Sequence, residues 1–303
     1  MILSKPNKIK IYGHRGARGD LPENTLKSFQ YLFENNINAY ETDVLISKDL
    51  VPVITHDFKL DPDLTRDSSG DYINEDNIKI FDLTYEELSR FDISSLNKKT
   101  QYGKRFADQK NLTNQKIPKL SELLELTSNN IVDGLLINLE IKSTPIEKNL
   151  TPPPDVMAKL IIDEVNKSIV KDKVIYSSFD WRILREIKNL DHKISRAYLT
   201  SKKRGKIYDK SPWLDLMPVY DKENLGLPKL VKKLGGNAWH PKHKDIKRED
   251  VRISHDEGLP VNVWTVNEEF DMLRMIDYGV DGIITDYPLR LRELCERKNI
   301  SWF

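Results

Sequence analysis

The chain has 303 residues, 39% of them hydrophobic and 31% charged, yet its formal net charge is only +1. That length is enough for one large core, and the charge balance excludes a broad basic surface for nucleic acid or anionic lipid as the defining feature. The single cysteine, Cys295, excludes an internal disulfide, and no stretch is long and apolar enough to span a membrane. The opening residues, Met1 to Lys8, lack the apolar core of a signal peptide. The expectation is a cytoplasmic protein, with an exported form arising if a leader was removed.

In chain order, eight short apolar runs predict strands: residues 9–13, 39–46, 135–141, 174–178, 194–199, 237–240, 261–264 and 282–285. Helical spacing follows most of them. Leu26, Phe29 and Phe33 share one face, as do Leu120, Leu123 and Leu124, then Ile183, Leu184 and Ile187. Leu291, Leu294 and Cys295 form a late helical pattern in which the thiol is expected to be packed. Strands alternating with helices predict a parallel sheet. Eight such repeats in this length predict an α/β fold, a TIM (β/α)8 barrel spanning residues 1–303 as a single domain. Barrels of this kind place their chemistry at the C-terminal ends of the strands.

Two segments break the alternation. Residues 60–117 are too long for a barrel connection, and loops of that length usually carry function or their own structure. This stretch holds turn chemistry at 67–70 and scattered aromatics, among them Tyr72, Phe91, Tyr102 and Phe106. It is expected to form a small subdomain inserted after the second strand, over the active-site mouth. Residues 201–228 form a second excursion.

Chemistry-bearing residues gather at the predicted strand ends. His14-Arg15 follows the first strand: arginine can grip a phosphate with two parallel hydrogen bonds, and histidine can move a proton near neutral pH. Glu41 and Asp43 end the second strand, two residues apart, so both face the same way. Glu140 and Lys142 repeat that relation on the third, with Leu139 and Ile141 facing away. Three inward acids from neighbouring strands would repel one another unless a cation sat between them, and an all-oxygen site suits Mg²⁺, Ca²⁺ or Mn²⁺ rather than zinc. Lys142 would offer a positive charge to a phosphoryl oxygen. His56-Asp57 supplies a second imidazole, and two histidines suit a reaction that removes one proton and delivers another. Trp264 is either core packing or a wall of the substrate pocket. His240 is ambiguous, and His192, His243 and His255 are expected at the surface.

These segments together resemble the glycerophosphodiester phosphodiesterase family. The resemblance rests on His14-Arg15-Gly16, Pro22-Glu23-Asn24-Thr25, Glu41-Thr42-Asp43-Val44, His56-Asp57 and Leu139-Glu140-Ile141-Lys142. It continues through Val263-Trp264-Thr265-Val266-Asn267 and the run from Gly282 to Pro288, covering nearly the whole chain. The resemblance implies a TIM barrel, with Glu41, Asp43 and Glu140 as ligands of one divalent cation. It makes His14 and His56 the general acid and base, and gives the phosphate to Arg15 and Lys142. Glu23 either orders His14-Arg15 or reaches the metal site. The implied reaction converts small glycerophosphodiesters such as glycerophosphocholine or glycerophosphoethanolamine to glycerol 3-phosphate and an alcohol. Residues 60–117 resemble the family's insertion, and Asp61 to Arg66 resembles members with longer insertions, some of them exported. The alternatives are a lysophospholipase D-type enzyme on the same fold, which needs an apolar groove, and a non-catalytic phosphodiester-binding protein, which would have lost a histidine or a metal ligand.

Overall fold

The computed structural model describes residues 8–147, 149–202, 211–214 and 226–303. Its centre is a sheet of parallel strands: β1 (Lys10–His14), β2 (Ala39–Ile46), β4 (Leu136–Ile141), β5 (Val174–Ser178), β6 (Arg196–Thr200), β7 (Ala238–Pro241), β8 (Asn262–Val263) and β9 (Gly282–Thr285). The spatial order is β7-β6-β5-β4-β2-β1-β9-β8. Parallel bridges from Trp239 to Val261 and from Lys242 to Trp264 draw β7 and β8 together. The eight parallel strands thus form the nearly closed barrel expected from the sequence, with bounds within two residues of the predicted ones. A further strand, β3 (Pro52–Ile54), folds back antiparallel on the end of β2, pairing Val44 with Ile54 and Ile46 with Pro52. Its run is short and carries a proline, which is tolerated only at an edge or a strand's first residue. That is why the alternation pattern did not reveal it. No helix among the described residues is long and apolar enough to cross a membrane.

The register explains which side chains face inward. Glu41 lies beside Asn138, Glu140 beside Ser177, and Leu199 beside His240. In a parallel pair, neighbours in register share a face. The intervening residues Leu139, Ile141, Tyr176 and Tyr198 join one core with Phe29, Leu32, Leu123, Ile161, Leu184, Met272 and Leu291 of the surrounding helices. Cys295 is buried in that core, as its helical spacing implied. The barrel interior holds a smaller cluster, Tyr12, Ala39 and Ile284 with Leu136 and Trp264 packed against it. Apolar packing therefore lies mainly between strands and helices, and the inner face is free to be polar.

Residues 60–117 contain two short α-helices, α2 (Tyr85–Leu88) and α3 (Gln101–Arg105), and a 3-10 turn at Ile80–Asp82. Leu60, Ile73, Ile80, Leu88 and Ile117 pack with Leu45 and Val53 in a second cluster. The β2–β3 hairpin is therefore the platform on which this segment rests. Of the excursion at 201–228, all but 201–202, 211–214 and 226–228 lies outside the described residues.

His240 is fully buried at the barrel's inner face. Its Nε2 meets Asn262 Nδ2 at 2.9 Å, and its Nδ1 has no hydrogen-bond partner among the described residues. Burial pushes its pKa down from 6.5 to about 3. Across that window the unfolded chain binds a proton that the folded chain refuses, so stability falls as the pH drops from 6.5 toward 3. The full shift corresponds to roughly 5 kcal/mol. His240→Gln should flatten the dependence of Tm on pH between about pH 4 and 6.5. An unchanged slope would assign the acid sensitivity to other groups.

Candidate active site

β1 ends at His14, and the next two residues adopt left-handed backbone, Arg15 with φ 52° and Gly16 with φ 84°. This tight turn aims the Arg15 amide at Glu41 Oε2, 3.0 Å away. A Cβ on Gly16 would lie 2.4 Å from Ser28 Oγ, so only glycine fits. The chain then returns through Asn24, also left-handed at φ 55°, to Thr25, whose hydroxyl caps the first helix, α1 (Leu26–Glu34). Asn24 Nδ2 donates to Asp43 Oδ2 at 3.1 Å and its Oδ1 accepts from Thr42 Oγ1 at 3.0 Å. The turn after β1 thus holds the acids of β2 from behind.

Glu41, Asp43 and Glu140 are all buried, and one oxygen from each lies within 4.8 Å of the others. Lys142 Nζ sits 2.7 Å from Glu140 and 3.7 Å from Asp43. Arg15 Nε is 3.2 Å from Asp43 Oδ2, and its Nη1 is 2.6 Å from Glu23. Burial would raise Asp43, but His56, Arg15 and Lys142 outweigh it and hold the carboxyl below its ordinary range. Glu41 goes the other way: burial, then Asp43, then Glu140 push it well above the usual carboxylate value. Asp43 Oδ1 is buried with no hydrogen-bond partner among the described residues. An acid whose neighbours resist its ionisation, beside an orphaned carboxylate oxygen, fits a hard divalent cation with oxygen ligands.

His14 Nδ1 meets Asp286 Oδ1 at 2.7 Å, and its Nε2 lies 3.7 Å from Glu41 Oε2. Burial and then Arg18 push the His14 pKa down to about 4, against the pull of Asp286. His56 Nδ1 meets Asp57 Oδ1 at 2.8 Å. Burial, Arg15 and Lys142 hold His56 well below its ordinary value. Both rings are therefore neutral near pH 7, each with one nitrogen engaged by a carboxylate and the other available.

One cavity of about 570 Å³ brings these groups together. Of the residues singled out in the sequence, His14, Arg15, Glu41, His56, Glu140, Lys142 and Trp264 line it. Asp43 lies just behind, against Arg15 and Lys142. Glu23 is not on this wall; it stands against Arg15 and accepts from the Tyr102 hydroxyl. Trp264 is a wall residue, its Nε1 donating to the His240 carbonyl at 2.8 Å and its ring edge-on to Phe179 at 5.3 Å. The expectation that His243 lies at the surface fails: it is 5% exposed and lines the cavity, because its Nδ1 bonds the Trp264 carbonyl at 3.0 Å across the β7–β8 seam. Arg18, Tyr102, Arg105, Asn138 and Phe179 also line the cavity and carried no assignment from the sequence. Asn138 was visible only as the inward residue two before Glu140.

The sequence profile described as the Glycerophosphoryl diester phosphodiesterase family matches residues 14–290. The chain belongs to that family. A glycerophosphodiester phosphodiesterase of Caldanaerobacter subterraneus subsp. tengcongensis is 29% identical, over 96% of this chain and 99% of its own. One from Bacillus altitudinis is 28% identical, over 95% and 98%. Among solved structures, a candidate glycerophosphoryl diester phosphodiesterase of Silicibacter pomeroyi has a TM-score of 0.88 and 34% identity, covering 98% of this chain and 96% of that one. An Oleispira antarctica phosphodiesterase in complex with the product sn-glycerol-3-phosphate shares the fold at a TM-score of 0.70 and 24% identity, covering 95% and 96%. The chain is thus an enzyme of the phosphodiesterase class, and its barrel is the family's barrel.

Asn24 tests the support behind the acids. Asn24→Ala removes two buried hydrogen bonds and should cost about 1–3 kcal/mol in urea unfolding. Asn24→Gly loses the same bonds but accepts the left-handed backbone, and should be about 1 kcal/mol more stable than the alanine variant. Equal stability of the two would mean the backbone relaxes and the turn is not held by its neighbours.

Proposed function

We propose that the chain hydrolyses small glycerophosphodiesters, such as glycerophosphocholine or glycerophosphoethanolamine, to glycerol 3-phosphate and an alcohol. The observation that carries this reading is the meeting of three buried carboxylates, two neutral imidazoles, Arg15 and Lys142 around one cavity. The product named for the Oleispira protein supports the same product here.

Glu41, Asp43 and Glu140 would hold one divalent cation, Mg²⁺ or Ca²⁺, with Mn²⁺ also suited to an all-oxygen set. Such an ion, when bound, neutralises charge on the phosphoryl oxygens. Arg15 and Lys142 bind the phosphate and stabilise the charge that builds up on it. One of His14 and His56 takes the proton from the nucleophile, either water or the neighbouring glycerol hydroxyl. As the new P–O bond forms and the old one breaks, the other, which must have gained a second proton by the time the phosphate is bound, gives that proton to the departing alcohol oxygen. Trp264 and Phe179 form an apolar wall for the alcohol group. That same wall favours the second reading, a lysophospholipid substrate, and residues 60–117 decide between them if they narrow the mouth.

A chelator should abolish activity and a divalent ion should restore it, while Glu41→Gln should weaken cation affinity and leave the fold intact. Undiminished turnover in excess chelator, in protein shown to be metal-free, would end the metal assignment. His14→Ala and His56→Ala should each lower kcat by about 10²–10⁴-fold with far smaller changes in KM. Near-normal turnover in either variant would return that histidine to packing. For the mouth, Arg105→Ala should raise kcat/KM for lysophosphatidylcholine relative to glycerophosphocholine. A constant ratio would place the selectivity elsewhere on the cavity wall.

A further inference from the structure

Two stretches that the sequence singled out, Asn267 just beyond Trp264 and the run from Gly282 to Pro288, supply no group to the chemistry just described. Yet they converge on His14. Asp286 follows β9, the strand beside β1, and is fully buried. Its Oδ1 faces His14 Nδ1 at 2.7 Å and accepts from Arg18 Nε at 2.8 Å. Its Oδ2 accepts from Arg18 Nη2 at 3.0 Å and from Asn267 Nδ2 at 2.6 Å. Asn267 is fixed in turn, because its Oδ1 accepts from the Asp286 amide at 3.0 Å and from Thr285 Oγ1 at 3.2 Å. Every lone-pair direction of the carboxylate is therefore occupied by a donor that cannot easily turn away.

We infer that Asp286, clamped by Arg18 and Asn267, is the positioning residue that fixes the tautomer and ring plane of His14. A carboxylate surrounded by a guanidinium and an amide NH₂ can only accept, so the hydrogen in this contact belongs to His14 Nδ1. That choice leaves the Nε2 lone pair facing Glu41 and the cavity. His14 works through Nε2 in either role. As a base, Nε2 takes the proton and the new imidazolium charge lies against Asp286; as an acid, the same nitrogen gives it back. The inference rests on the reading of His14 as an acid–base group.

An amide cannot replace this carboxylate without conflict. In Asp286→Asn, an NH₂ at the Oδ1 position meets the donor Arg18 Nε and turns His14 to the other tautomer. At the Oδ2 position it meets two donors, Arg18 Nη2 and Asn267 Nδ2. Asn267 cannot flip to help, since its oxygen already holds two donors. Loss of tautomer control in a buried His–Asp pair lowers kcat by up to about 10⁴-fold in the serine-protease precedent.

The test is a double-mutant cycle with a spectroscopic arm. Asp286→Asn should lower kcat about 10²–10³-fold with KM within about 3-fold, and His14→Ala combined with Asp286→Asn should be no slower than His14→Ala alone. Mn²⁺ binding, read by titration without substrate, should match the wild type. In wild-type protein the His14 Nδ1–H should give a downfield proton resonance that disappears in His14→Ala and in Asp286→Asn. Asn267→Ala, which leaves the carboxylate in place, should lower kcat about 3–30-fold and should likewise have no effect in the His14→Ala background. Should Asp286→Asn fail to fold, this variant and the wild-type resonance decide the matter. Multiplicative losses in the double variants, or no downfield resonance in the wild type, would overturn the inference. An active Asp286→Asn beside an inactive His14→Ala would overturn the positioning alone, whereas a fully active His14→Ala would overturn the acid–base reading beneath it.

Discussion

Three carboxylates set side by side at the open end of a barrel repel one another, and the surrounding residues are arranged around that repulsion. At separations up to 4.8 Å, each charged pair costs roughly 3 kcal/mol or more at an effective dielectric of about 20. The nearby cations sit closer than that: Lys142 at 2.7 Å from Glu140 and Arg15 at 3.2 Å from Asp43. These two acids are therefore compensated. Among the described residues Glu41 has no cation at such range; it has the Arg15 backbone amide and the neutral His14 ring. This difference explains why Asp43 is held in its charged form while Glu41 is pushed toward its neutral one. The imbalance is what a cation among the three would remove.

The fold makes such a concentration of polar groups affordable by separating two kinds of burial. The strands' outer faces and the helices share the large apolar core, with Tyr40, Phe29, Leu184 and Met272 among its members. The inner face carries Asn138, Ser177, His240 and Asn262 instead, all buried. Both side-chain amide atoms of Asn138 and the Ser177 hydroxyl lack hydrogen-bond partners among the described residues. Asn138 lines the cavity, so a ligand or water held there can meet its amide. An apolar barrel interior would be more stable, but it would have no floor able to hold a charged ligand.

How much of this was legible in the sequence follows from the range of each interaction. The barrel was legible because strand alternation and helical spacing are local signals. The acid cluster was legible because Glu41 and Asp43, and then Glu140 and Lys142, stand two apart, and parallel strands keep their ends level. The hairpin strand β3 was not, since Pro52 disguises a three-residue run. Nor was the burial of His243, which depends on a bond across the barrel seam to Trp264, 21 residues away. Asp286 lies 272 residues from His14. Its motif could be quoted from the sequence, but its partner could not, because only barrel closure places β9 beside β1.

The same long-range logic applies to residues 60–117. Its side chains reach the turn after β1, where the Phe106 ring also lies 5.1 Å from the Arg18 guanidinium. The Tyr102 hydroxyl donates to Glu23, which in turn holds Arg15, and Arg18 Nη1 donates to Tyr102 at 3.4 Å. Gln109 Nε2 donates to the Arg18 carbonyl at 2.7 Å, and the Lys110 amide donates to the Asp20 carbonyl at 2.9 Å. Arg15 lies against the acids, and Arg18 lies against Asp286 and thereby His14. Shortening this segment would therefore disturb both arms of the site and also expose Leu45 and Val53, which it covers. A deletion would confound selectivity with a change in the geometry of the site. Arg105 faces the cavity as well, but its guanidinium lies 3.9 Å from Asp286 Oδ2, so its substitution separates a change of substrate from a change of rate only when two substrates are compared as a ratio, in which a common loss of rate cancels.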